Sequence, residues 1–163
     1  MLKICLTLLM VTIMLIGETH EIPRLWNAFK VSNAFSEKYT IAFENDFRTY
    51  NLGEEMYYYH GDIGISFSVF NSYKLNVNFR EVFELKSGVW KKEHRPHVTL
   101  SNKMKIGNFS FSGRTRIEFR IKQDQESVVR SRNMVTVKYN QSFTKLKIVP
   151  YIADEIFADS EKK

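Results

Sequence analysis

Arg114, Arg116, Glu118 and Arg120 stand at every second position of one stretch, Phe109 to Lys122. A spacing of two puts all four on one face of an extended strand. Guanidinium and carboxylate groups so arranged can neutralise one another or hold an anion. Arg130 and Arg132 repeat the pattern on a later stretch, and Glu155 adds an acid near the carboxyl end. Arg114, Arg116, Glu118, Arg120, Arg130, Arg132 and Glu155 are therefore the candidate site. A structural ion network is its expected role, because buried charges must pair. Glu44, Asp46 and Glu84 are further acids for these arginines, and Arg80 a further base. The functional alternative is a polar conduit or anion site lined by Arg114, Arg116, Arg120, Arg130 and Arg132.

Catalytic chemistry has less to work with. The histidines are His20, His60, His94 and His97. His60 and Asp62 share a strand face and could make a general-base pair or half a metal site. The sequence offers them no third ligand. It also lacks a Gly-x-Ser-x-Gly elbow, a His-Glu-x-x-His pair, a phosphate loop, a dinucleotide fingerprint and zinc spacing. His94 and His97, flanking Arg95-Pro96, read as the polar start of a strand. The single cysteine, Cys5, lies in the amino-terminal apolar segment, so the rest of the chain has no disulfide or thiolate. These absences point to a non-enzymatic protein without cofactor or metal.

The elements that carry the charges read as strands. Opposite the arginines of the first stretch lie Phe109, Phe111, Ile117, Phe119 and Ile121. An alternation of about 14 residues is longer than the usual strand of about 5–6. It suits a tilted strand crossing a bilayer, which needs about 9–11 residues, apolar toward lipid and polar toward the lumen. Lys38 to Arg48, Tyr57 to Val69, Tyr73 to Leu85 and Arg130 to Gln141 alternate in the same way. Glu81 interrupts one apolar face, as at a bulge or a lipid boundary. Trp26 to Asn33, His94 to Ile106 and Lys145 to Phe157 are less regular, and Pro150 marks an edge or bulge.

These stretches predict an all-β fold, an antiparallel up-and-down meander of about eight strands forming a transmembrane β-barrel, closed or incomplete. Short turns and longer polar loops alternate, with Lys86 to Glu93 among the loops, so the two rims should differ. Trp26, Tyr57, Tyr58, Tyr59, Tyr73, Trp90, Tyr139 and Tyr151 fall near strand ends, as an interfacial girdle would require. An eight-stranded barrel is just wide enough for side chains to fill, which predicts a plugged, salt-bridged lumen.

Met1 to about Thr19 reads as a secretory signal, with Lys3 before the apolar run Ile4 to Ile16 and small residues at Gly17 and Thr19. The barrel domain then spans 20–163. Export and lipid-type strands together predict the bacterial outer membrane. The expected partners are outer-membrane lipid or lipopolysaccharide and the barrel-assembly machinery. Lys91, Lys92 and Arg95 are the residues expected to attract anionic lipopolysaccharide near the loops. A net charge of +6 and a pI near 9.4 could suggest nucleic acid. The charges, however, alternate with apolar residues and do not cluster, which argues against it. The alternative is a soluble periplasmic, lipocalin-like barrel binding an apolar ligand. That fold would bury Ile117 and Phe119, whereas a membrane barrel would bury Arg116 and Glu118.

Three segments, RPHVTLSNKMKIGNFSFSGRTRIEFR, VVRSRNMVTVKYNQSF and VPYIADEIF, resemble a bacterial domain-of-unknown-function family of outer-membrane β-barrels. The likeness lies in the Arg-x-Arg-x-Glu-x-Arg strand of Arg114 to Arg120, in Arg130 and Arg132, and in Glu155 with Phe157; the early Trp26 also fits. It implies a secreted barrel and supplies no activity. Members of that family continue past the Glu-x-Phe strand, and outer-membrane barrels commonly end on a strand with a terminal aromatic. This chain stops at Asp159-Ser160-Glu161-Lys162-Lys163, so the resemblance implies a barrel truncated at its carboxyl end.

Overall fold

The computed structural model describes residues 23–70, 72–123, 125–142 and 145–160. The expected secretory signal, His20, Asn71 of the expected tight turn and the last three residues lie outside them. Eight strands follow in order: β1 Arg24–Ala34, β2 Tyr39–Tyr50, β3 Glu55–Phe70, β4 Tyr73–Lys86, β5 Val89–Ile106, β6 Phe109–Lys122, β7 Val128–Tyr139 and β8 Tyr151–Asp159. Each pairs antiparallel with its sequence neighbour in a single sheet of order β1 to β8. The expected antiparallel meander of eight strands is what forms.

The sheet is curled and open. One cavity is lined by residues of six strands, from Lys30 of β1 to Arg116 of β6. Flat strands about 4.7–4.9 Å apart would hold β1 and β6 roughly 24 Å from each other, so the sheet must bend around this space. Among the described residues, β1 and β8 share no ladder, and the curl does not close into a barrel.

Turn chemistry sets the register. Ser87 and Gly88 both have positive φ, +50° and +77°, as a two-residue type I′ hairpin between β4 and β5 requires. Gly107, at φ +55°, opens the equally short turn between β5 and β6. The ladder shifts by one residue at Arg48/Thr49, opposite β3, and again between Ser68 and Phe70. Both shifts sit near strand ends, so the central pairing keeps one phase.

That phase gives the two faces opposite chemistry. Inward lie His60, Asp62, Glu93, His97, Thr99 and Glu118, all buried, with Val82 and Tyr58 the buried apolar side chains of the described residues. Outward lie Ile41, Phe43, Ile63, Val77, Phe79, Val98, Leu100, Phe119, Val135 and Ile152, all exposed. Most buried residues are polar while many large hydrophobic residues are exposed, the reverse of a water-soluble core.

Several sequence expectations need correction. β5 starts at Val89, not His94; the supposed loop Lys86 to Glu93 is the tight turn plus the first rungs of the strand. Consequently the rims do not alternate between short and long connections: β4 and β5 are joined as tightly as β5 and β6, while 140–150 is long. β8 starts at Tyr151, not Lys145, because Lys147 adopts φ +56° and breaks extension. Pro150 precedes the strand, and its carbonyl accepts the Tyr139 N–H at 3.0 Å. Glu81 causes no bulge. It lies opposite His94 in an unbroken ladder, and Lys92 Nζ reaches its carboxylate at 2.5 Å on the outer face.

Candidate functional site: the charged inner face

Strand pairing decides which charges meet. At one rim, Glu93 of β5 lies between two guanidinium groups. Arg95 donates Nε and Nη2 at 2.8 and 2.9 Å, and Arg120 of β6 donates Nε and Nη2 at 2.6 and 3.0 Å. Each carboxylate oxygen thus accepts one N–H from each arginine. Such double bidentate pairing is the strongest geometry these groups have. Arg130 of β7 makes a third bidentate pair, with Asp159 of β8 at 2.6 and 2.7 Å.

Toward the middle the contacts chain across strands. Arg114 Nη2 donates to Glu155 at 2.7 Å, spanning β7, and Arg132 Nη2 reaches the other oxygen of Glu155 at 3.0 Å. Arg132 Nη1 also lies 3.6 Å from Glu118, which takes Arg116 Nη1 at 3.4 Å. Arg116 Nε donates to Thr99 Oγ1 at 3.0 Å. All seven candidate residues therefore lie on the inner face in ion pairs. Their partners include Glu93 and Asp159, which sequence reasoning did not select.

The histidine–carboxylate pairing differs from the one read along the strand. Asp62 accepts Asn78 Nδ2 at 2.7 Å and Arg80 Nε at 2.8 Å, and faces His97 Nε2 at 3.7 Å. His60 instead contacts the Tyr58 hydroxyl at 3.1 Å and faces Glu44 Oε1 at 3.7 Å. Each histidine thus faces an acid on another strand, and His60 and Asp62 do not act as a pair. His97 lies mid-strand and is 3% exposed, not at a polar strand start; His94 is on the outer face beside Glu81. Among the described residues, no three His, Cys, Asp or Glu side chains could hold a metal ion.

Gly64 completes this cluster. A Cβ at Gly64 would overlap the Asn78 amide. Only a residue without a side chain lets Asn78 lie across β3 to reach Asp62.

Residues 24–163 match the family described as protein of unknown function, DUF2490. The chain belongs to that family. No curated protein and no solved structure matches it.

Two expected surface features of this DUF2490 chain also change. Lys91, Lys92 and Arg95 are strand residues, not a loop patch: Lys92 bridges to Glu81 outside, while Arg95 is locked onto Glu93 inside. Tyr58 is buried on the inner face, where the Arg48 guanidinium lies 4.3 Å from its ring and 4.2 Å from that of Trp26. The other expected girdle aromatics do gather toward strand ends. Tyr57 stacks on Tyr50 at 4.2 Å at one end, and Tyr139 packs on Phe109 at 5.0 Å at the other.

Proposed function

We propose that this protein is a non-enzymatic outer-membrane protein whose open, curled sheet is an incomplete β-barrel, with the charged inner face as its plugged, salt-bridged lumen. One observation carries the reading. Across the sheet the outward face is mainly apolar, broken by a few polar residues such as Asn45, Glu81, His94 and Asp154, while the inward face holds the arginines and most of the acids; Phe119 is 48% exposed and its neighbour Glu118 is 4% exposed. Soluble monomers rarely show contiguous apolar patches beyond a few hundred Å², whereas lipid is the natural solvent for such a face. Aliphatic residues with Phe43 and Phe79 fill the middle of this face, and Tyr39, Tyr73 and Trp90 lie toward its ends, which fits the Tyr and Trp girdles of membrane strands. Strands of 9 to 18 residues are long enough to cross at a tilt.

The lipocalin-like alternative needs Phe119 on the inside and loses its support to the same observation. Outer-membrane lipid and the barrel-assembly machinery are the partners that go with the proposal. The decisive experiment refolds the full chain and floats it with phospholipid vesicles. It should rise with the vesicles and stay there in urea; recovery as a stable monomer in the aqueous layer overturns the proposal. Ile63, 52% exposed at mid-strand, sharpens the test. Ile63→Arg should reduce stability in the bilayer by about 2–4 kcal/mol if this position meets lipid, and by no more than about 0.5 kcal/mol if it meets water. A steady current through the reconstituted protein that Arg116→Ala abolishes would refute the plugged lumen.

A further inference from the structure

The seven selected charges do not form one uniform network. Arg120 and Arg130 spend their forks on bidentate pairs. Arg114 and Arg116 do not, and both line the cavity that the curl encloses, about 220 Å³ in volume. Lys30 and Arg80 line it too, against the carboxylates of Glu44 and Asp62.

The local charge is unbalanced. Lys30, Arg80, Arg114, Arg116 and Arg132 share four acids, Glu44, Asp62, Glu118 and Glu155. One positive charge is left over. Donors are left over as well: Arg114 Nε is buried without a hydrogen-bond partner, and Arg116 Nη2 makes no hydrogen bond among the described residues. Both side chains are only part-buried, 35% and 18% exposed, but a guanidinium donor shielded from water and short of acceptors is still costly unless something supplies them. The void beside these groups has room for such a group together with a few waters. Two guanidinium forks at one side of a cavity suit a planar or tetrahedral oxyanion better than a spherical ion. Thr99, Ser101 and Asn78 line the rest and can hydrogen-bond its outer atoms.

We propose that this cavity is a binding site for a small oxyanion, held by Arg114 and Arg116 with Lys30 and Arg80 opposite. The site is narrower than, and different from, the five-arginine set read from the sequence, since Arg120 and Arg130 are locked in bidentate pairs and Arg132 does not line the cavity. The inference stands on the inner face alone. A chain that binds the anion yet fails to float with vesicles would lose the membrane reading and keep this one.

The test is equilibrium dialysis of radiolabelled inorganic phosphate against the full chain refolded in detergent micelles, in sodium chloride of fixed ionic strength. Saturable binding of one phosphate per chain is expected. Arg116→Gln should weaken it about tenfold, the scale of one lost charged hydrogen bond, while Arg130→Gln should leave it within about twofold. If Arg116→Gln does not refold, Arg116→Lys reads the same site, keeping the charge but not the fork, and it too must weaken binding. Binding that never saturates, that chloride displaces at equal concentration, or that falls equally in the Arg116 and Arg130 variants overturns the site.

Discussion

The Glu93 clamp and the cavity around Arg116 are both built mainly from guanidinium and carboxylate groups, and both hold one more positive charge than negative. They differ in fit. At Glu93 four short hydrogen bonds fill the carboxylate, and the adjoining space is only about 20 Å³. At Arg116 the ion-pair contacts are single and longer in three cases, 3.4, 3.6 and 3.9 Å, beside an eleven-fold larger void. A charge census would rate the two regions alike. Geometry distinguishes a finished ion pair from one that leaves donors facing open space.

Three substitutions can break or sharpen that contrast. Glu93→Gln should have the largest effect. It leaves Arg95 and Arg120 facing each other in a protected site without their shared countercharge, a loss of about 3–5 kcal/mol for a broken buried pair, readable as a lower urea midpoint by tryptophan fluorescence. Gly64→Ala comes next. The new methyl forces Asn78 off Asp62, and overpacking of this kind costs about 1–3 kcal/mol; a thermal melt unchanged from the parent would show that Asn78 moves freely. Arg116→Gln should have the smallest effect, about 1 kcal/mol or less, because Arg132 still serves Glu118. If Arg116→Gln destabilised the fold as much as Glu93→Gln, the two regions would be equally complete and the contrast would fail.

The strands and their faces were legible because alternation with period two survives even where single residues break it. β6 was read to its ends, Phe109–Lys122, since no residue on its outward side is charged. β5 hid its first rungs because Lys91 and Lys92 place charge on both faces near the rim. The stretch looked like a loop, and Glu93 went with it. The signal that could have recovered Glu93 is Ser87-Gly88, a pair suited to a two-residue turn, which forces Leu85 opposite Trp90 and Val82 opposite Glu93. The exchange of partners among His60, Asp62, Glu44 and His97 had no such signal. It depends on the register of β2 against β3 and on a contact that skips β4, and neither is written along any one strand.

Every strand here leans on the strands next to it in sequence, so the architecture is modular in twos. Removing one hairpin and rejoining the ends would return the chain to the same edge, travelling the same way, with later side chains still pointing as before. Removing a single strand would reverse the direction of all that follows and demand a connection across the full height of the sheet. In a meander of this kind, evolution and engineering alike must add or subtract internal strands in pairs.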